Sequence, residues 1–434
     1  MQAIDDLAER ILQTGATPGI TLAVSDRERV VEVRCWGLAD PARGKPVTPR
    51  TPFEIGSISK SFTAICLMCE WDDDRLDLGA PVASVLPWFP LADITFHHLL
   101  SHTGGLVCGT GDPPGTPVEI LTLAETARSP AGERFWYSNI GYAALGYALS
   151  ELTREAYPAT YRRRILGPLG MTGTSPVITH DLRAAIAVGH DALHDDRPYR
   201  TGDTLGPCTW IEYAEADGSV VATAHDLAQY GRMILNSGQG VLSERAFARL
   251  TDPVADDPEE GDRYAYGLAV RERDGHRWIG HSGGMIGHHS QLWCDMDAGL
   301  AVAVFVNGKA GSDPLSQFAL RALAGGSPDE PDLDFDDPGA ATTFDAEPAA
   351  EWHEICGRYR SYNPWSTTVV VGTVEGVPTA LHWGEALELT PLEDGSYRLG
   401  EVWSPERMRF DTVIGERAMR AWVGAAPYCR PVGG

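Results

Sequence analysis

The chain has 434 residues, 43% of them hydrophobic and 22% charged, with a formal net charge of −25. That is ordinary globular composition, at a length that suggests two or three domains. So acidic a surface repels phosphate backbones and anionic headgroups, which argues against nucleic-acid and membrane-surface partners.

No stretch reaches the roughly 18–20 apolar residues of a bilayer span. The first twelve residues, Met1 to Leu12, read as an acidic amphipathic helix without the basic and apolar regions of a secretory signal. The expected location is therefore cytoplasmic. Gly19–Val24 and Val30–Trp36 alternate as strands around a polar turn, predicting an antiparallel hairpin. From Ser57 through Cys69 the pattern is helical and apolar on nearly every side, so this helix is expected to be buried. Cys66 and Cys69 lie inside it. With no second pair at zinc-ligand spacing they read as buried free thiols. A Pro/Gly-rich middle region follows, with a helical piece at Gly141–Leu149.

Strand signals return from about Tyr264, at Tyr266–Val270, Arg277–His281, Ser290–Cys294 and Leu300–Val306, before a closing helix at Leu315–Leu323. A hairpin at one end, helices between and strands at the other end predict an α+β domain built on a largely antiparallel sheet, residues 1–326. Residues 327–350 are Pro, Asp, Glu and Ala and read as an acidic linker. Residues 351–434 then carry short, evenly spaced strands at Thr367–Val371, Thr379–Trp383, Ala386–Leu389, Tyr397–Leu399, Arg407–Phe410 and Met419–Val423. These predict a small antiparallel sandwich or barrel.

Three groups of residues carry chemistry. In Gly56-Ser57-Ile58-Ser59-Lys60, the serine and lysine stand three apart and share one helical face, so the amine reaches the hydroxyl as a local base. Tyr137-Ser138-Asn139 precedes a helix. A phenol beside an ammonium ionises more readily and relays protons, and the amide of Asn139 both donates and accepts. In Gly280-His281-Ser282-Gly283-Gly284, a strand is expected to end at His281, with the glycines admitting another backbone. An exposed edge of this kind pairs with a peptide-like ligand, for which Gly283 is a contact. The backbone N–H groups of Ser57 and Gly284 would form an oxyanion hole. The histidines near 97–102 and 281–289 lack a zinc-site pattern, and there is no phosphate-binding loop. No metal or cofactor is expected.

In this order, Ser57-x-x-Lys60, Tyr137-x-Asn139 and His281-Ser282-Gly283 resemble the serine β-lactamase and penicillin-binding-protein superfamily. The class C β-lactamase and D-Ala-D-Ala carboxypeptidase-like branch is the nearest in pattern. Leu99-Leu100-Ser101-His102-Thr103-Gly104-Gly105-Leu106 and Leu166-Gly167-Pro168-Leu169-Gly170-Met171 add to the likeness, which covers about residues 1–325.

The resemblance implies a β-lactamase/transpeptidase-like domain in which Ser57 is acylated. Lys60 and Tyr137 would be its proton-transfer partners, either one acting as base, and Asn139 would position Lys60 and the acyl side chain. His281 replaces the lysine of β-lactamases, and a neutral imidazole suits a substrate carboxylate less well than an ammonium.

A following lipocalin-like barrel resembles the layout of penicillin-binding-protein-type thioesterases of non-ribosomal peptide synthesis. That implies a peptidyl thioester with a C-terminal D-residue, delivered by a carrier protein and released by head-to-tail macrolactamisation. The alternative is an esterase, D-aminopeptidase or D,D-peptidase-like hydrolase. Arg430, near the end of the chain, is a candidate to fold back to the cleft and bind a carboxylate or carbonyl, the alternative being a solvated terminal charge. Trp210 is a candidate wall of the substrate pocket, the alternative being simple packing.

Overall fold

The computed structural model describes residues 1–109, 116–126, 128–194, 197–258 and 261–431. Its centre is a nine-stranded sheet. The strands are β1 (Gly19–Asp26), β2 (Val30–Asp40), β3 (Lys45–Pro46), β4 (Ala255–Asp257), β5 (Asp262–Tyr264), β6 (Ala269–Arg273), β7 (His276–Met285), β8 (His288–Asp295) and β9 (Leu300–Val306). They lie in the order β3-β2-β1-β9-β8-β7-β6-β5-β4, so the two ends of the domain meet where β1 pairs antiparallel with β9, Leu22 opposite Val304.

The continuous apolar run of β9 explains its central place, because both of its faces are covered. Val302, Val304 and Val306 pack with Ile4, Leu7 and Ile11 of helix α1 (Gln2–Gln13) and with Leu315 and Leu320 of the last helix of the domain, Ser312–Leu323. Ala301, Ala303 and Phe305 face the larger core on the other side.

That core is organised around α2 (Ser59–Asp72), in which every residue from Ser59 to Glu70 is buried. Phe62 of α2 stacks on Tyr230 of a helix spanning Ala224–Leu235, rings 4.4 Å apart. Ser57 itself lies just ahead of α2, in a single 3-10 turn at Gly56–Ile58. The turn keeps the three-residue spacing that puts Ser57 and Lys60 on one side.

Two elements differ from the sequence reading. Strand β7 does not end at His281 but runs on to Met285, because β8 continues to pair with it as far as Met285 opposite His288. Strand β6, by contrast, pairs with β7 only as far as Gly280. Among the described residues, His281–Met285 therefore has no strand partner on its outer side. The linker is also not a loose tether. Asp337 accepts the Tyr199 N–H at 2.7 Å, Asp336 accepts that of Thr201 at 2.7 Å, and Leu333 and Phe335 pack on the layer formed by α1 and the 312–323 helix. Its carboxylates take up backbone donors of the first domain, which composition alone does not reveal.

Beyond it, eight strands from Gly357–Arg360 to Ala426–Cys429 form a closed antiparallel barrel, sealed where Arg360 meets Cys429. Closure leaves no strand edge open. Tyr359, Val369, Val371, Met408, Ala421 and Tyr428 fill its interior. The eight cysteines are free, with Cys66 and Cys69 buried. No helix among the described residues is long and apolar enough to cross a membrane.

Candidate active site

Ser57 opens onto a cavity of about 850 Å³. Gly56 turns the chain into the cavity at φ +51°, and a Cβ there would lie 2.6 Å from the amide nitrogen of Gly284. A Cβ on Gly283 would lie 2.0 Å from the carbonyl oxygen of Ile55. Only glycines allow the nucleophile turn and the free edge of β7 to come this close. The approach brings the turn that carries Ser57 against the Gly284 backbone.

Lys60 is fully buried; its Nζ donates to Ser57 Oγ at 3.0 Å and to the carbonyl of Asp217 at 2.9 Å. Burial, only partly opposed by the nearby Asp217 carboxylate, lowers its pKa from 10.5 to about 8. Tyr137 also hydrogen-bonds Ser57, and its ring centroid lies 4.9 Å from Lys60 Nζ. Here the structure corrects the expectation of an easily ionised phenol: burial pushes Tyr137 well above its ordinary range. Desolvation opposes the charged form of both groups, so it favours a neutral amine at Lys60 and keeps the phenol protonated.

Asn139 begins the helix Asn139–Thr153, capped by Ser138 Oγ. Its backbone N–H donates to Cys108 O at 2.8 Å and its side-chain amide to Cys108 Sγ at 3.8 Å. His281 is buried and held neutral, its pKa lowered to about 4 by desolvation. Nδ1 pairs with the Ser282 carbonyl and so carries the proton, leaving Nε2 to accept from Tyr264 Oη at 2.8 Å. Both ring nitrogens are thus engaged inside the protein.

Two predicted site residues lie elsewhere. Arg430 does not reach the cavity. It is buried in the barrel seam, donating to the carbonyls of Ala418, Cys356 and Glu354 and to Tyr359 Oη. Trp210 is not among the cavity-lining residues; it packs on a small cluster with Ile178, Ile186, Val221 and Met285, under the Arg183 guanidinium. An arginine satisfied by carbonyls and an indole packed against a small apolar cluster look the same in sequence as ligand-binding ones.

The structure also adds residues. His102 accepts the Ser138 N–H on Nδ1 at 3.0 Å and its ring lies 4.3 Å from that of Tyr137. It stands in the Ser101-His102-Thr103 stretch, which was a usable signal. Tyr264, and the Asp217 carbonyl that holds Lys60, had none, because their roles depend on distant chain segments. The barrel contributes too: His382, Leu387, Leu399, Trp403, Glu406 and Val423 line the same cavity as Ser57.

Residues 4–326 match the family model described as Beta-lactamase. The chain belongs to the Beta-lactamase family. Within it, the chain is 29% identical over 314 residues to penicillin-binding protein 4 of Amycolatopsis lactamdurans, covering 67% of this chain and 81% of that one. It is 26% identical over 341 residues to a D-aminopeptidase of Cereibacter sphaeroides, covering 75% of this chain and 63% of that one.

Among solved structures, the octameric penicillin-binding protein homologue of Pyrococcus abyssi superimposes with a TM-score of 0.68 at 23% identity, covering 98% of this chain and all of that one. SurE does so at 0.64 and 24%, covering 99% and 98%. The D-amino acid amidase of Ochrobactrum anthropi SV3, at 0.63 and 25%, covers 75% of this chain and 95% of that one. As a member of this family the chain is a serine hydrolase or acyltransferase.

Proposed function

We propose that Ser57 takes the acyl group of a peptidyl thioester ending in a D-residue, and that the peptide's own N-terminal amine releases it as a head-to-tail macrolactam. In this reading neutral Lys60 removes the Ser57 proton as Oγ attacks the thioester carbonyl. The Ser57 and Gly284 N–H groups hold the oxyanion, and Tyr137 relays the proton to the departing thiolate. The amine then attacks the acyl-serine, and the proton it loses returns through the same pair to Oγ. A carrier protein presenting the thioester is the expected partner, and no cofactor takes part.

The observation that carries the reading is the barrel's share of the cavity wall. Leu387, Leu399 and Val423 extend it with apolar surface, giving space for a folded peptide and less for water around the acyl-serine. The neutral, doubly bonded His281 supports a peptide donor over a β-lactam carboxylate. The D-aminopeptidase relative and the D-amino acid amidase neighbour support a D-configured acyl residue.

Incubation with linear peptidyl thioesters carrying a C-terminal D-residue is expected to give the cyclic product and an acyl-Ser57 intermediate by intact mass. Linear acid alone, across several peptide sequences, overturns the cyclase reading. The second reading, hydrolysis of D-amino-acid esters or amides, is favoured by the same D-aminopeptidase relative. Water outcompeting added amines for the acyl-serine would select it.

A further inference from the structure

The C-terminal barrel does more than line the cavity. Glu406 sits where the barrel strand Arg407–Ile414 begins, on the side facing the Ser57 domain. Its Oε1 accepts the backbone N–H of Cys108 at 2.5 Å and the indole N–H of Trp136 at 3.3 Å. Both donors flank the proposed proton-transfer residues. Trp136 adjoins Tyr137, and its own N–H donates to the His102 carbonyl at 2.8 Å. The Cys108 carbonyl accepts from Asn139 N at 2.8 Å, and Ser138 Oγ donates to the Val107 carbonyl at 2.9 Å. The 107–108 and 136–139 segments are thus zipped together, and one carboxylate oxygen bridges both.

The Glu406 backbone is itself fixed. The Glu406 N–H donates to Ser404 Oγ at 3.1 Å, and the Glu406 carbonyl accepts from Arg407 at 3.0 Å. Around it Ser129 Oγ donates to the Trp403 carbonyl at 3.1 Å, and the Arg134 guanidinium lies 5.2 Å from the Trp403 ring centroid. A half-buried carboxylate whose one oxygen takes two donors from another domain is a costly arrangement to keep unless those bonds hold something in place.

We propose that Glu406 is a positioning residue of the Ser57 site: from the barrel it clamps the Cys108 amide and the Trp136 indole, and so sets Tyr137 and Asn139. The Ser57 domain is then catalytically incomplete without the docked barrel. This rests on the reading of Tyr137 and Asn139 as working parts of that site, and the test separates the two. Glu406→Gln retains an acceptor oxygen for both donors, whereas Glu406→Ala retains none.

The first arm needs no substrate: iodoacetamide labelling of Cys108, followed by peptide mapping in the full chain. Cys108 is expected to label at least about fivefold faster in Glu406→Ala than in wild type, with Glu406→Gln within about twofold of wild type. The second arm follows Ser57 acylation by a D-residue thioester. Glu406→Ala is expected to lose about 10–100-fold in the acylation rate constant, with Glu406→Gln restoring most of it. In a Tyr137→Phe background the alanine change is expected to cost much less, because residues that act as one unit are not additive.

Equal labelling in all three proteins overturns the clamp. Faster labelling with undiminished acylation, or the same loss in both backgrounds, overturns the positioning role. If no protein, wild type included, acylates Ser57, the reading of the site fails while the labelling arm still decides the clamp.

Discussion

The corner around Ser57 and the barrel that covers it face the same cavity, yet they put charge to opposite uses. At the corner, Lys60 is buried with two acceptors, and desolvation brings its pKa down towards neutral pH. In the barrel, Arg430 is buried with several acceptors and simply ties the seam together. Both are nearly inaccessible cations, one at the cavity and one in the barrel seam away from it. What separates them is chemistry: an ammonium can give up its proton at moderate pH and a guanidinium cannot. Burial leaves the first able to lose its proton near neutral pH and makes a brace of the second.

The largest effect follows from the first half of that contrast. Lys60→Ala is expected to slow Ser57 acylation by at least about a thousandfold, since nucleophile and base act as a unit. Activity above about a tenth of wild type would remove Lys60 from the role of base. The pH profile carries the sign. The base is the free amine, so the acylation rate should rise about tenfold per pH unit below the lowered Lys60 value near 8 and level off above it. A profile that keeps climbing well past pH 9 would instead point to the phenol of Tyr137, whose ionisation burial pushes far higher.

The second half predicts a smaller effect of another kind. Arg430→Met removes donors from three backbone carbonyls and Tyr359 inside the barrel seam, and should destabilise the chain by about 2–4 kcal/mol. A lower thermal midpoint with an unshifted pH–rate profile is the expected outcome. Loss of acylation at undiminished stability would return Arg430 to the active site.

The same contrast shows what a sequence displays. Ser57, Lys60, Tyr137, Asn139 and His281 were legible because each sits in a short ordered pattern whose spacing survives folding. The barrel was legible from its evenly spaced strands, although its first and last, four residues each, were too short to register before closure paired them. The position of Arg430 was not legible, because an arginine two residues from a tyrosine says nothing of which carbonyls surround it. Nor was the end of β7, where pairing with β8 carried the strand past His281, its expected end, and on through two glycines. Asp217 holds Lys60 through a backbone carbonyl, which any residue type offers.

Tyr264 tests the finest part of the comparison, because it belongs to the corner and yet acts only through another residue. Its hydroxyl donates to His281 Nε2, while the Ser282 carbonyl holds the other ring nitrogen. Tyr264→Phe keeps the aromatic contacts with His102 and Phe135 and frees only Nε2. With Nδ1 still carrying the proton, the freed nitrogen is an acceptor, so it offers a substrate carboxylate nothing. Acylation by a peptide thioester is expected to fall no more than about threefold, roughly the value of one neutral hydrogen bond. Labelling by a penicillin should not improve. If Tyr264→Phe instead gained penicillin reactivity, the imidazole would have to turn over or take up a second proton at neutral pH. Burial, which lowers its pKa to about 4, opposes that second proton.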